Sequence, residues 1–193
     1  MIYNMKNIAI LASGNGTNAE RIINYFKDSE IAQVNIVLTN NSDAGVISRA
    51  NSLVVDVHIF NRDDFYNSNK VLDILTQYNT DLIVLAGFLW LVPEDILITY
   101  ENRIVNIHPA LLPAYGGKGM YGARVHDAVI KAGNSTSGIT IHKVNKYYDK
   151  GQIIFQAEVK IDNNETPDSL AAKIHLLEYE HFPKVIAELL TEK

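Results

Sequence analysis

Cysteine is absent from the 193 residues, which removes disulfides, thiolate nucleophiles, iron–sulfur clusters and cysteine-ligated zinc from consideration. The six histidines show no H-E-x-x-H or comparable ligand spacing, and no Gly-x-Ser-x-Gly elbow is present. Neither a dedicated metal site nor a serine hydrolase is therefore expected. A basic excess is missing as well: 17 Lys and Arg stand against 22 Asp and Glu, a formal charge of −5. No overall field draws such a chain onto nucleic acid or an anionic membrane, so an anionic ligand has to be caught locally. The longest apolar run, Leu82–Val92, is interrupted by Gly87 and stopped by Pro93; it is too short for a bilayer and reads as a buried strand. Met1–Lys6 carries no basic segment leading into an apolar one, so export is not expected and the cytoplasm is the expected compartment.

What is present is the make-up of a packed protein. With 47% hydrophobic and 20% charged residues, and no repeat or linker-like tract, the pattern predicts one domain over residues 1–193. Apolar, β-branched runs at Asn7–Ala12, Val34–Thr39, Leu53–Ile59, Asp81–Ala86 and Arg103–His108 read as strands. Helical patterns at Thr17–Phe26 and Asp64–Tyr78 lie between them. This rhythm predicts an α/β fold, an open and mostly parallel Rossmann-like sheet with helices on both faces. Beyond Pro109 a glycine-dense stretch precedes a short helix near Arg124–Lys131. Two alternating segments follow, Gly138–Val144 and Gln152–Ile161, which predict an antiparallel C-terminal strand pair. A long final helix is announced by Thr166 as cap and Pro167 at the first position, with Pro183 marking a kink or break.

Three places could carry chemistry. Ser13-Gly14-Asn15-Gly16-Thr17-Asn18 follows the first strand and opens the first helix; its free N–H groups and the Thr17 hydroxyl could cradle a phosphate. The same stretch spells Gly-x-Gly-x-x-Ala with Ala19, a dinucleotide fingerprint. The acid that would take the ribose hydroxyls is missing from Leu38-Thr39-Asn40, however, and a plain glycine turn with no ligand stays open. In Arg103–Pro109 the alternation of a strand puts Asn106 and His108 on one face and Ile107 on the other. An amide that can stabilise an oxyanion thus stands beside an imidazole that can move a proton, a pairing suited to attack on a carbonyl carbon. A hydrogen-bonded structural histidine is the plainer alternative. In Tyr147–Gly151, Asp149 is either ordinary turn chemistry or a carboxylate folded back onto His108 to favour its protonated form. On the final helix Glu178 falls on or beside the apolar stripe, where the pattern alone reads it as a charge reaching water.

At Ser13–Asn18, Leu85-Ala86-Gly87-Phe88 and Asn106-Ile107-His108-Pro109-Ala110-Leu111-Leu112-Pro113 the chain resembles the folate-dependent formyltransferases, nearly from end to end. The Asn-x-His-Pro-x-Leu-Leu-Pro block is shared by the purine-pathway enzymes, the methionyl-tRNA formyltransferases and the formyltetrahydrofolate hydrolases. The glycine loop and the length point to the purine branch, since the other two carry an extra domain. The resemblance implies transfer of a formyl group from the co-substrate 10-formyltetrahydrofolate to the amine of 5-phosphoribosylglycinamide (GAR), with no metal, by a monomer or homodimer. It implies that Asn106, His108 and Asp149 are catalytic, with Asn106 and a protonated His108 holding the oxyanion and Asp149 keeping the imidazole charged. By the same likeness Gly16, Thr17 and Asn18 hold the substrate phosphate and Glu178 lies near the glycinamide end. Arg62 is associated with the folate, whose pterin lies along Leu89, Trp90, Leu91 and Val92 beside Asn106. Members of the family usually have arginine where this chain has Trp90 and histidine where it has Ser137. A hydrolase, with water as acceptor, and a nucleotide-binding module without catalysis are the rival expectations.

Overall fold

The computed structural model describes residues 5–191, so the reading of Met1–Asn4 lies outside the described residues. The chain runs through β1 (Lys6–Leu11), α1 (Thr17–Phe26), β2 (Ala32–Thr39), α2 (Gly45–Ser52), β3 (Asp56–Ile59), α3 (Arg62–Tyr66) and α4 (Lys70–Gln77). It continues through β4 (Leu82–Leu85), α5 (Glu94–Thr99), β5 (Ile104–His108), α6 (Ala123–Lys131), β6 (Thr136–Lys143), β7 (Ile153–Lys160) and α7 (Pro167–Thr191). The seven strands form one sheet in the order β3-β2-β1-β4-β5-β6-β7. Strands β1 to β5 pair in parallel, and β6 runs antiparallel to both β5 and β7.

Strand alternation builds a core on each side of this sheet. Ile8, Ile10, Val84, Val105 and Ile107 pack with α1, α2, α6 and α7, while Ala9, Leu11, Ile83, Leu85 and Ile104 pack with α3, α4 and α5. The chain winds from β1 outward to β2 and β3, then returns to place β4 on the other side of β1. The connections therefore diverge between β1 and β4. The crevice beyond the carboxyl ends of strands at such a point is where open α/β sheets receive ligands.

Local chemistry explains where the structure departs from the periodic pattern. The helix expected over Asp64–Tyr78 is two helices, because Asn67-Ser68-Asn69 offers the backbone other partners: the Ser68 hydroxyl donates to the Asp64 carbonyl and accepts from the Lys70 amide. Asn61 starts the first of the two with a reciprocal capping box to Asp64. The strand expected from Leu53 begins only at Asp56, since α2 ends at Leu53 and Val54 turns the chain at a φ of 59°. The run Leu82–Val92 is a strand only to Leu85; Gly87, at a φ of 75°, carries the rest into a loop. Thr166 caps α7 as expected, its hydroxyl accepting from the Ser169 amide. The helix continues through Pro183 without a break.

Candidate active site

A cleft of about 1080 Å³ opens at the divergence point. Its floor comes from three strand ends: Ser13–Asn18 after β1, Ala86–Leu89 after β4, and Asn106–Pro109 at the end of β5. Its walls are the glycine-rich segment after β5, α6 and α7. A smaller recess, lined by Trp90, Leu91, Val92 and His142 among others, meets the cleft along Phe88, Asn106, Tyr148 and Asp149.

The glycine loop is shaped by close backbone approach. Gly16 sits at a φ of 78° immediately before α1, and a Cβ there would fall 2.5 Å from the Val46 side chain. No side chain caps α1, so its first amides are left without a side-chain partner where Gly16, Thr17 and Asn18 line the cleft. From outside, Arg49 of α2 donates through Nε to the Asn15 carbonyl (2.9 Å) and pairs with Glu20. From within, Asn18 Nδ2 donates to Glu178 Oε2 at 2.9 Å, and His175 Nδ1 lies 2.8 Å from the same oxygen. Glu178 is thus a buried carboxylate, only 4% exposed, and not the water-reaching charge that the helix pattern suggests. It is tied to Asn18 of the glycine loop, and its charge also reaches His108. Because Glu178 holds the His175 ring by a hydrogen bond, the pKa of His175 lies above the ordinary imidazole value.

At the other end Asn106 and His108 share a face of β5, as strand alternation requires. His108 is buried, 3% exposed; its Nε2 donates to the Tyr115 carbonyl at 2.8 Å and its Nδ1 lies 3.6 Å from Asp149 Oδ2. Asp149, at a φ of 53°, does fold back, and the Gly117 amide donates to its Oδ2 at 2.9 Å. Burial would raise the Asp149 carboxyl, but His142, His108 and the Gly117 amide together bring it below the ordinary carboxylate value. For His108 the balance runs the other way. Burial lowers its pKa, and Asp149 and the Tyr115 carbonyl offset only part of the shift. Asp149 thus acts in the expected sense, favouring the charged imidazole, while burial acts against it and leaves the net shift downward.

A second histidine completes the group. His142 lies opposite Asn106 across the β5–β6 ladder. Its Nδ1 is 2.8 Å from the Lys143 carbonyl and must donate there, which leaves Nε2 to accept from Asn106 Nδ2 at 3.1 Å. The contact of Nε2 with Asp149 Oδ1, at 3.6 Å, is too long for a hydrogen bond and is electrostatic. One amide proton of Asn106 is thereby held by His142 and the other is left for the cleft.

The sequence-predicted residues fall as follows. Gly16, Thr17, Asn18, Leu89, Asn106, His108, Asp149 and Glu178 line the cleft, and Trp90, Leu91 and Val92 line the recess. Arg62 lines neither; its guanidinium lies over the rings of Tyr66 (5.0 Å) and Trp90 (5.7 Å) at the outer side of the aromatic cluster. His142, His126, His175 and the Tyr115 carbonyl were not singled out in the sequence. For His142 a signal exists in the two-residue alternation of Thr140 and His142 on β6, but it gains meaning only once β6 is known to pair with β5. Among the described residues, no group of three or more His, Asp or Glu is arranged to hold a metal ion, and no helix is long and apolar enough to cross a membrane.

A strand-end amide and imidazole share one cleft with the uncapped start of α1, an arrangement suited to group transfer at a carbonyl carbon, and known proteins give that class its name. The family described as formyl transferase matches residues 6–186, and the chain belongs to it. Among its relatives is the phosphoribosylglycinamide formyltransferase of Bacillus subtilis, 34% identical over 96% of this chain and 95% of that protein. The chloroplastic phosphoribosylglycinamide formyltransferase of Arabidopsis thaliana is 37% identical over 97% of this chain. The chain spans about two thirds of the length of such plant relatives. The crystal structure of phosphoribosylglycinamide formyltransferase from Streptococcus pneumoniae superposes with a TM-score of 0.85 at 36% identity, covering 97% of this chain and all of that one.

Proposed function

We propose that this chain is a single formyltransferase domain that moves the formyl group of 10-formyltetrahydrofolate onto the primary amine of GAR, giving N-formyl-GAR and tetrahydrofolate. One observation carries the reading: Asn106 and Asp149 line both the recess and the cleft, with His108 beside them, so a donor in one cavity and an acceptor in the other meet at the same groups. The glycine loop takes the phosphate at the far end of the cleft, and binding energy gained there places the amine at the formyl carbon. As the amine nitrogen bonds to that carbon, the carbonyl oxygen becomes negative and accepts from the free Asn106 N–H. As negative charge develops beside it, the neutral His108 takes up a proton from water, favoured by the field of Asp149, and its Nδ1–H donates a hydrogen bond to the oxyanion; the proton returns to water when the oxyanion collapses. Collapse breaks the bond from carbon to the folate nitrogen, and the proton shed by the amine ends on that leaving nitrogen. The recess lined by Trp90, Leu91 and Val92 accepts the flat, hydrogen-bonding pterin ring of the donor between apolar side chains and main-chain polar groups, and the Arg62–Tyr66–Trp90 stack lies at the folate's outer side. We place the enzyme in the cytoplasm, as a monomer or homodimer that needs neither nucleic acid nor membrane.

The test is a product assay with both purified substrates. N-formyl-GAR and tetrahydrofolate should form in equal amounts, and Asn106→Ala should lower kcat by about a hundredfold or more. Formate released at a similar rate without GAR would make the chain a hydrolase; tight dinucleotide binding without turnover would make it a binding module.

A further inference from the structure

His126 belongs to no step described so far, yet it is the least satisfied titratable side chain in the cleft wall. It lies on α6, between the apolar residues Val125 and Val129 in the helix's buried set, and is 3% exposed. Its Nδ1 is sealed from solvent with no hydrogen-bond partner, while the residue lines the cleft. That nitrogen lies out of a cleft ligand's reach, so the ring meets the cleft through its other edge, where Nε2 is the polar atom a ligand can engage. Helix α6 packs on α7, and the charged groups felt by His126 are, in order of influence, Glu178, His175, Asp127 and His108. The ring lines the same cleft as Asn18 and Glu178, which are bonded to each other, and as His108. Burial pulls its pKa down, so it meets a ligand as a neutral imidazole, able to donate or to accept at Nε2 according to its tautomer. A neutral ring is a poor match for phosphate and a good one for hydroxyl groups.

We propose that His126 contacts the ribose hydroxyls of the substrate, holding the sugar midway between the phosphate cradle and the reacting amine. This rests on the GAR reading above. A phosphate at the glycine loop and an amine at Asn106 and His108 leave the sugar to span the wall that His126 and Glu178 form. Glu178, with Oε2 already engaged, supplies the acceptor on one side, and His126 supplies the adaptable partner on the other.

Steady-state kinetics of His126→Ala, His126→Leu and His126→Gln test it; Leu fills the side-chain volume and carries the measurement if the Ala protein does not fold. Both apolar variants should raise KM for GAR about tenfold, the size of one lost hydrogen bond, while KM for the folate and kcat stay within about twofold. Gln should recover much of the loss, and a 2′-deoxy analogue of GAR should be affected less by either apolar change. Unchanged KM for GAR in the folded Leu variant, or an equal penalty with the deoxy analogue, overturns the proposal. Failure of the wild type to formylate GAR would instead strike the proposed function. Calorimetric binding of ribose 5-phosphate to wild type and to the Leu variant separates the two cases, because it reads the His126 contact without turnover: weaker binding to the variant supports the contact, and equal binding refutes it.

Discussion

Proton placement among four side chains decides what this site can do. Asn106 is not a free amide: His142 accepts one of its protons, and only the other is aimed at the junction of the two cavities. His108 is set between two acceptors, the Tyr115 carbonyl and the Asp149 carboxylate, so a second proton has a place to go once negative charge develops nearby. Replacing Asp149 by Asn removes the charge that opposes desolvation of His108. The pKa of His108, already lowered, should fall further, so the alkaline limb of the kcat–pH profile moves to lower pH and kcat drops more at pH 8 than at pH 6. A profile that keeps its shape would separate the carboxylate from the imidazole. Asn106 and His108 could be read from β5 because two-residue alternation is a local property. His142 and Glu178 could not, since what defines them is a partner on another strand or helix.

At the level of elements, the strong signals were those that one segment carries by itself. Helix α1 was legible from Ile22, Ile23 and Phe26, and all three are buried against the sheet. Helices α2 and α5 were missed: at eight and six residues they are too short for a period to stand out, and their burial is decided by neighbours. Yet α2 matters to the site, because Val46 fills the space in front of Gly16 and Arg49 grips Asn15. Gly16→Ala should therefore be doubly unfavourable, forcing a Cβ at positive φ and into Val46. We expect a Tm several degrees lower and a weakened affinity for GAR, and Val46→Ala should not rescue it, since the Val46 Cβ and Cα that an added Cβ would strike at 2.5 and 2.6 Å remain. Thermal melts of the single and double variants check this; recovery of the Tm in the double variant would show that the close approach to Val46 is unimportant.

For the whole molecule, buried imidazoles tie stability to pH. His108 and His126 both have pKa values lowered from the ordinary 6.5. Below that value the unfolded chain binds protons that the folded one refuses, so these residues make stability fall as pH drops. His175 acts oppositely: its raised pKa gives a contribution present below 6.5 and lost as pH rises through the folded value. His58 is lowered as well, so three residues stand against one: Tm should decline from about pH 7 to about pH 5, and the decline should be shallower in His126→Leu, which deletes one of the three. Parallel curves for wild type and variant in a pH series of melts would remove His126 from this account. The sheet order follows from features spread along the chain, but the site does not: Asn18 and Glu178, bonded to each other, are 160 positions apart. A nascent chain emerging from the ribosome can lay down the five parallel strands and still lack one wall of its pocket. The wall is closed only when the last helix to be synthesised docks against α1 and α6.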